Sequence, residues 1–167
     1  MSRVANFCPN CGARLTQQER YGRMRPVCPE CEYIVFFEPK VAVVVFLLRN
    51  NDAELLLVKR GMNPGKGRWA LPAGFVDAGE DPKIAAIREV KEETGLDVQI
   101  ERLLDVFHAN DEGLADIVIA YAGRVLGGTL KADDDAEAAA WFTRENIPPI
   151  VFTTTDTLIK RWQVGSL

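Results

Sequence analysis

The chain has 167 residues, 47% of them hydrophobic and 26% charged, with a formal net charge of −4. That leaves room for one packed domain of about 100–150 residues and a small module beside it, and excludes a disordered or fibrous chain. The longest apolar run, 41–48, falls far short of the roughly 20 residues that span a bilayer, and the acidic balance argues against broad binding to nucleic acid, which rests on clustered Lys and Arg. The opening MSRVANFCPNC lacks the apolar stretch and small-residue cleavage site of a secretory signal, so the expected location is cytoplasmic.

All four cysteines stand near the start, as Cys8-Pro9-Asn10-Cys11 and Cys28-Pro29-Glu30-Cys31, with sixteen residues between the pairs. Two such knuckles present four thiolates to one tetrahedral ion, a closed site that suits structural Zn²⁺ and has no position for substrate. Disulfides are the alternative, and a reducing compartment disfavours them. The segment 15–27 is poor in apolar residues, so metal binding must supply much of this module's folding free energy. Arg3, Arg14, Arg20, Arg23 and Arg25 against Glu19, Glu30 and Glu32 make it slightly basic. With almost no aromatic interleaving, these arginines read as solvated side chains on a docking or dimer-stabilising piece. Glu38-Pro39 marks the joint, because the residue before proline is pushed out of helical geometry; the expected division is 1–37 and 38–167.

Beyond the joint, 41–49 and 54–59 are rich in Val and Leu and flank Asn50-Asn51-Asp52, which predicts a hairpin. Further strands are expected at 98–107, 115–125 and 138–142, with a final helix at 155–163. Strands interspersed with two helices predict a mixed sheet packed between helices.

The most informative segment runs from Gly74 to Leu96. Asp81 is a good N-cap, Pro82 suits the first helical position and Gly95 can supply the left-handed C-cap, so a helix is predicted over 82–94. Ile84, Ile87 and Val90 recur at helical spacing as its packing face. Glu89, Glu92 and Glu93, at i, i+3 and i+4, place three carboxylates on one flank. Anions this close repel unless a cation sits among them, and dense oxygen ligands suit Mg²⁺ or Mn²⁺. Arg88 can pair with Glu92 one turn on. The alternative is a solvated acidic face balanced by Lys83, Arg88 and Lys91.

The whole pattern decides between them: Gly74, five residues, Glu80, seven residues, Arg88-Glu89, apolar Val90, Lys91, Glu92-Glu93, Thr94, Gly95 and apolar Leu96. It resembles the Nudix box at every defining position. Lys59-Arg60, Gly67-Arg68-Trp69, Leu71-Pro72-Ala73-Gly74 and Trp141-Phe142 extend the resemblance to about 39–164. The cysteine module links the chain to the zinc-bearing branch of that family, with NADH, FAD and ADP-ribose pyrophosphatases.

The resemblance implies an α/β/α sandwich with a mixed sheet, the Nudix fold, over 38–167, preceded by a zinc ribbon. It implies metal-dependent hydrolysis of a nucleoside diphosphate joined to another group, NDP-X, to a nucleoside monophosphate and X-phosphate. Glu89, Glu92 and Glu93 would hold one to three Mg²⁺ (or Mn²⁺), with the carbonyl of Ala73 a further ligand, Arg88 orienting Glu92 and Glu80 organising the loop. The general base is a box glutamate or one from a later loop; Glu112 and Glu137 are the loop candidates, and each reads more simply as an ordinary solvated loop carboxylate. Arg60 and Arg68 are candidates for phosphate contact or for surface ion pairs. Trp69, Phe75 and Phe107 are expected in the core rather than against a base, and His108 has no assigned role.

NADH pyrophosphatases of this branch carry Ser-Gln-Pro-Trp-Pro-Phe-Pro after the box, and 101–125 here does not match it. ADP-ribose or FAD is therefore the expected substrate. The alternatives are an NADH or NAD-capped RNA pyrophosphatase, and a non-catalytic nucleotide-sensing or RNA-binding module. The expected partners are a small nucleotide and a second copy of the chain, since related enzymes are often homodimers.

Overall fold

The structure, a computed structural model, describes residues 4–109 and 115–167. It divides into two compact units between Pro39 and Lys40.

In the first unit, β1 (Thr16–Arg20) and β2 (Arg23–Val27) form an antiparallel hairpin. Its two-residue turn has Tyr21 at φ 52° and Gly22 at φ 70°. The two cysteine loops have matching backbones: the amide of Gly12 donates to the carbonyl of Cys8 at 2.9 Å and that of Glu32 to Cys28 at 3.0 Å. Gly12 and Glu32 both have positive φ, 78° and 60°.

The second unit is a seven-stranded mixed sheet between two helices, which is the expected layering. The hairpin of β3 (Val41–Arg49) and β4 (Glu54–Arg60) turns through Asn50, Asn51 and Asp52, all at positive φ, a conformation that Asn and Asp tolerate better than most. The two strands pair only at Leu48↔Leu55 and Arg49↔Glu54 and then part. β3 goes on to pair antiparallel with β6 (Ala73–Phe75) and parallel with β8 (Ile117–Gly128). β4 takes β5 (Trp69–Ala70) and β9 (Ala136–Thr143). β7 (Leu96–His108) completes the sheet against β8, with three register shifts.

Side chains of a strand alternate between faces, and β3 feeds two cores. Val43, Val45 and Leu47 pack with Ala85, Ala86 and Val90 of α1 (Pro82–Thr94). Val44 and Phe46 pack on the other side with Leu158, Ile159 and Trp162 of α2 (Thr153–Gln163), which starts two residues earlier than expected. Arg161 of α2 also reaches Asp105 of β7 at 2.6 Å.

The ends of α1 are those predicted. Asp81 accepts from the Lys83 amide, and Gly95, at φ 70°, donates to Lys91; an N-cap of this kind contributes about 1 kcal/mol. Its buried face differs from the expectation. Ile84 is 58% exposed, and Ala85, Ala86 and Val90 take the sheet-facing positions. Three-residue steps drift by about 60° each, so Ile84 stands about 120° from Val90 around the axis. Among the described residues no helix is long and apolar enough to cross a membrane.

Candidate active site and cysteine centre

The drift that exposes Ile84 also separates the three glutamates. Glu93, seven residues after Ala86, lies within about 20° of it on the core face, whereas Glu92 is rotated about 100° from Glu93. Glu93 is accordingly 4% exposed, Glu89 is largely covered and Glu92 stays in solvent. Two of the three carboxylates thus point inward, and the expected common flank is split.

The buried carboxylate of Glu93 accepts a hydrogen bond from the Ala73 amide at 3.0 Å. Burial pushes its pKa well above the ordinary range; the Ala73 amide opposes that, and Asp135, in hydrogen-bonding contact, and Glu89 add to it. Glu89 is also raised, chiefly by burial, against the pull of Arg88. Arg88 reaches Glu89 and Glu92 but is not among the groups that bear on Glu93, whose nearest charged neighbours are the carboxylates of Asp135 and Glu89.

Strand register explains why Ala73 meets Glu93. Val45 N donates to Pro72 O and Val76 N to Val41 O, which makes Val44↔Ala73 and Ala42↔Phe75 the non-hydrogen-bonded pairs of β3 and β6. In such pairs both N–H and C=O point away from the partner strand. The Ala73 carbonyl therefore shares the direction of its amide, toward the glutamates. The Phe75 carbonyl, in the same register, accepts from Arg88 Nη2 at 3.1 Å.

Arg88 organises the rest. Its Nε and Nη2 grip Glu80 through both oxygens, at 2.9 and 3.0 Å, and Nη1 donates to Glu89 at 2.7 Å and Glu92 at 3.0 Å. This fork holds the Glu80 carboxyl down at about 2, with help from the Asp77 amide, and drives the guanidinium further up.

A cavity of about 390 Å³ opens here, lined among others by Arg60, Gly74, Phe75, Glu89, Asp134 and Asp135. Arg60 stands over Phe152 at 5.1 Å and donates to the Pro64 carbonyl. Arg68 is elsewhere, bonded to the carbonyl of Ile150. Glu137 pairs with Lys59 at 3.5 Å and is not among the lining residues; Glu112 lies outside the described residues. Trp69 packs edge-on against Phe142 at 4.7 Å, and Phe107 joins the core beneath α2. Phe75 departs from the core expectation: it is 42% exposed and lines the cavity, with Lys40 at 5.6 Å over its ring. Asp134 and Asp135 were not expected at the site. Their acidic run is visible in the sequence, but it is the pairing of β9 with β4, with the Lys131 and Asp133 amides donating to the carbonyls of Thr94 and Glu93, that brings it to α1.

In the first unit the ligand atoms of Cys8, Cys11, Cys28 and Cys31 all lie within 4.8 Å of one another and no pair is bridged. Cys8–Cys31 and Cys11–Cys28 approach to 3.6 and 3.5 Å between sulfurs, close to the edge of about 3.8 Å in a tetrahedron with 2.3 Å zinc–sulfur arms. A hydrogen bond from the Tyr33 backbone and another from Asn10 lower the Cys31 thiol to about 6.

A mixed sheet between two helices, with a glycine loop leading into a helix of inward carboxylates, is the architecture of the Nudix hydrolases. The family model described as NUDIX domain matches residues 38–162, and the chain belongs to this family of enzymes, which act on phosphoric anhydrides. It is 40% identical over 139 residues to an ADP-ribose pyrophosphatase of Methanocaldococcus jannaschii, covering 80% of each chain. It is 29% identical to the NAD-capped RNA hydrolase NudC of Vibrio vulnificus over 93% of its own length and only 57% of that relative's. Among solved structures, a NUDIX hydrolase from Nitrosomonas europaea matches with a TM-score of 0.83 at 27% identity, over 95% of this chain and 91% of that one.

Proposed function

We propose that the second unit is a divalent-metal-dependent pyrophosphohydrolase that cleaves ADP-ribose to AMP and ribose 5-phosphate. The observation that carries the chemistry is the buried Glu93 carboxylate set against Glu89 and Asp135. Hard divalent cations take carboxylate and carbonyl oxygens, and this cluster, with the Ala73 carbonyl, has the donor chemistry such an ion needs. Bound Mg²⁺ or Mn²⁺ would neutralise diphosphate oxygens and polarise the attacking water.

The chain's own residues do the positioning. Glu89, Glu93 and the Ala73 carbonyl hold the ion, joined by Asp135 and, from the solvent side, Glu92. The Ala73 amide fixes one Glu93 oxygen, and Glu80 locks the Arg88 fork that fixes Glu89 and Glu92. Arg60 lines the cavity, which supports a role for it in contacting a phosphate. Phe75 offers an exposed ring to a base or sugar. Cys8, Cys11, Cys28 and Cys31 hold one structural Zn²⁺ in the first unit.

ADP-ribose is favoured by the relative that matches over 80% of both chains and bears that activity in its name. The cavity volume also falls in the range of roughly 300–1,000 Å³ usual for small-molecule sites. The test is a panel of ADP-ribose, FAD, NADH and NAD-capped RNA with Mg²⁺, products resolved by chromatography. AMP and ribose 5-phosphate should appear, with kcat/KM for ADP-ribose at least about tenfold above the others, a margin of 1.4 kcal/mol. An equal margin for another member would transfer the assignment to it.

A further inference from the structure

The first unit carries a face that the metal chemistry does not use. Arg20 pairs with Arg23 and Gln18 with Arg25 across the β1–β2 hairpin. Paired residues, and those two apart on one strand, share a face, so three arginines stand side by side. Like charges directly opposite one another destabilise a sheet. Among the described residues Arg20 and Arg25 meet backbone carbonyls rather than carboxylates: Arg20 donates to Glu19 O and Arg25 to Arg20 O.

Beside them lies an aromatic platform hidden from sequence reading, because Phe36 folds back onto the hairpin turn. Its ring stacks on Tyr21, with centroids 6.3 Å apart and planes at 27°, and the Arg25 guanidinium lies 4.7 Å over it. Tyr21 is 77% exposed and Phe36 53%. Tyr21 also takes a left-handed φ of 52°, at a turn position that favours Asn, Asp or Gly. Neither turn chemistry nor burial accounts for that ring.

We infer that this face binds single-stranded nucleic acid, with Arg20, Arg23 and Arg25 along the phosphates and Tyr21 and Phe36 stacking on unpaired bases. Three arginines side by side, Arg20 and Arg25 bonded only to backbone carbonyls among the described residues, select a polyanion. Aromatic rings left this exposed beside them select one with π surfaces of its own, which a duplex conceals. The net charge of −4 excludes a broad cationic field, whereas this is a local one. The inference is independent of the substrate assigned to the second unit.

The test uses the full chain and a fluorescein-labelled single-stranded RNA twelve-mer of mixed sequence, read by anisotropy without added Mg²⁺. Binding should weaken with salt at a log–log slope of about −2, since each phosphate contact on a single strand contributes about −0.7. Tyr21→Ala with Phe36→Ala should weaken it at least tenfold. Arg20→Gln with Arg23→Gln should reduce the slope by about 1.4, and Arg124→Gln, on the main sheet, should change nothing. Unchanged zinc content shows that a variant has kept its fold, and the arginine pair serves if the aromatic pair does not. The inference is overturned by absence of binding at low salt, by preference for duplex RNA, or by affinity that survives both double variants. It is equally overturned if sedimentation shows that the aromatic variant loses self-association while RNA binding persists.

Discussion

The Cα of Gly74 packs so closely on the carboxylate of Glu89 that a Cβ there would lie 1.8 Å from Glu89 Cδ. The glycine is required by the neighbouring carboxylate, and its backbone φ is not in the left-handed region. Gly74→Ala should therefore fold, because the obstructed group is the end of a side chain, yet push Glu89 out of place. A misplaced ligand can cost about 100-fold in rate. The check is kcat against a circular dichroism spectrum: an unfolded variant, or a folded one with native kcat, contradicts this account of the loop.

Arg88 bridges Glu80, Glu89 and Glu92 through a planar fork, and an ammonium cannot reproduce two parallel bonds to one carboxylate. Arg88→Lys should weaken apparent Mg²⁺ affinity by about 10- to 100-fold, the usual cost of removing a group that orients a metal ligand. The activation curve against Mg²⁺ concentration should shift rightward, with kcat recovered in part at saturation.

The raised acids predict how the metal-free protein responds to pH. Glu93 and Glu89 keep their protons in the folded state beyond the pH at which an unfolded glutamate, at about 4.3, loses its own. The folded state then binds more protons, and stability falls as pH rises through that window. Glu80 and Asp105 are held low and act in the opposite sense, losing their contribution only as pH falls below about 4. Melting without divalent ions should therefore show a lower midpoint near about pH 8 than near about pH 5. Glu93→Gln should flatten the difference.

For the cysteine unit, Cys8→Ser with Cys28→Ser removes one sulfur from each loop. Elemental analysis should show zinc falling from one per chain to none, while Mg²⁺-dependent hydrolysis by the second unit persists. Loss of turnover with the fold of the second unit intact would mean that the cysteines serve catalysis.

Helix ends, the Asn50–Asp52 turn and the layer order were legible in the sequence because caps, turn residues and alternation are local codes. The helix face departs from the expectation at Ile84, because two small alanines, Ala85 and Ala86, take the buried positions in place of the larger side chain. The acidic cluster was legible as a pattern on α1 but not as a place. The burial of Glu93 follows from its angular agreement with Ala86, and its contact with Asp135 from strand pairing far along the chain. Phe36 on Tyr21 belongs to the same class: a contact between segments that no local signal connects.

The central claim is that hydrolysis rests on the inward carboxylates of α1, and turnover of Glu93→Gln beside Glu137→Gln tests it most directly. Gln keeps the size of Glu and an oxygen for the Ala73 amide while removing the charge that would hold the ion. At saturating Mg²⁺, kcat of Glu93→Gln should fall at least about a thousandfold, equivalent to about 4 kcal/mol at the transition state. Its metal-free melting midpoint should be equal to or above that of the parent, and Glu137→Gln should turn over like the parent. Near-native kcat in Glu93→Gln would contradict the account and reduce the cluster to a buried structural acid.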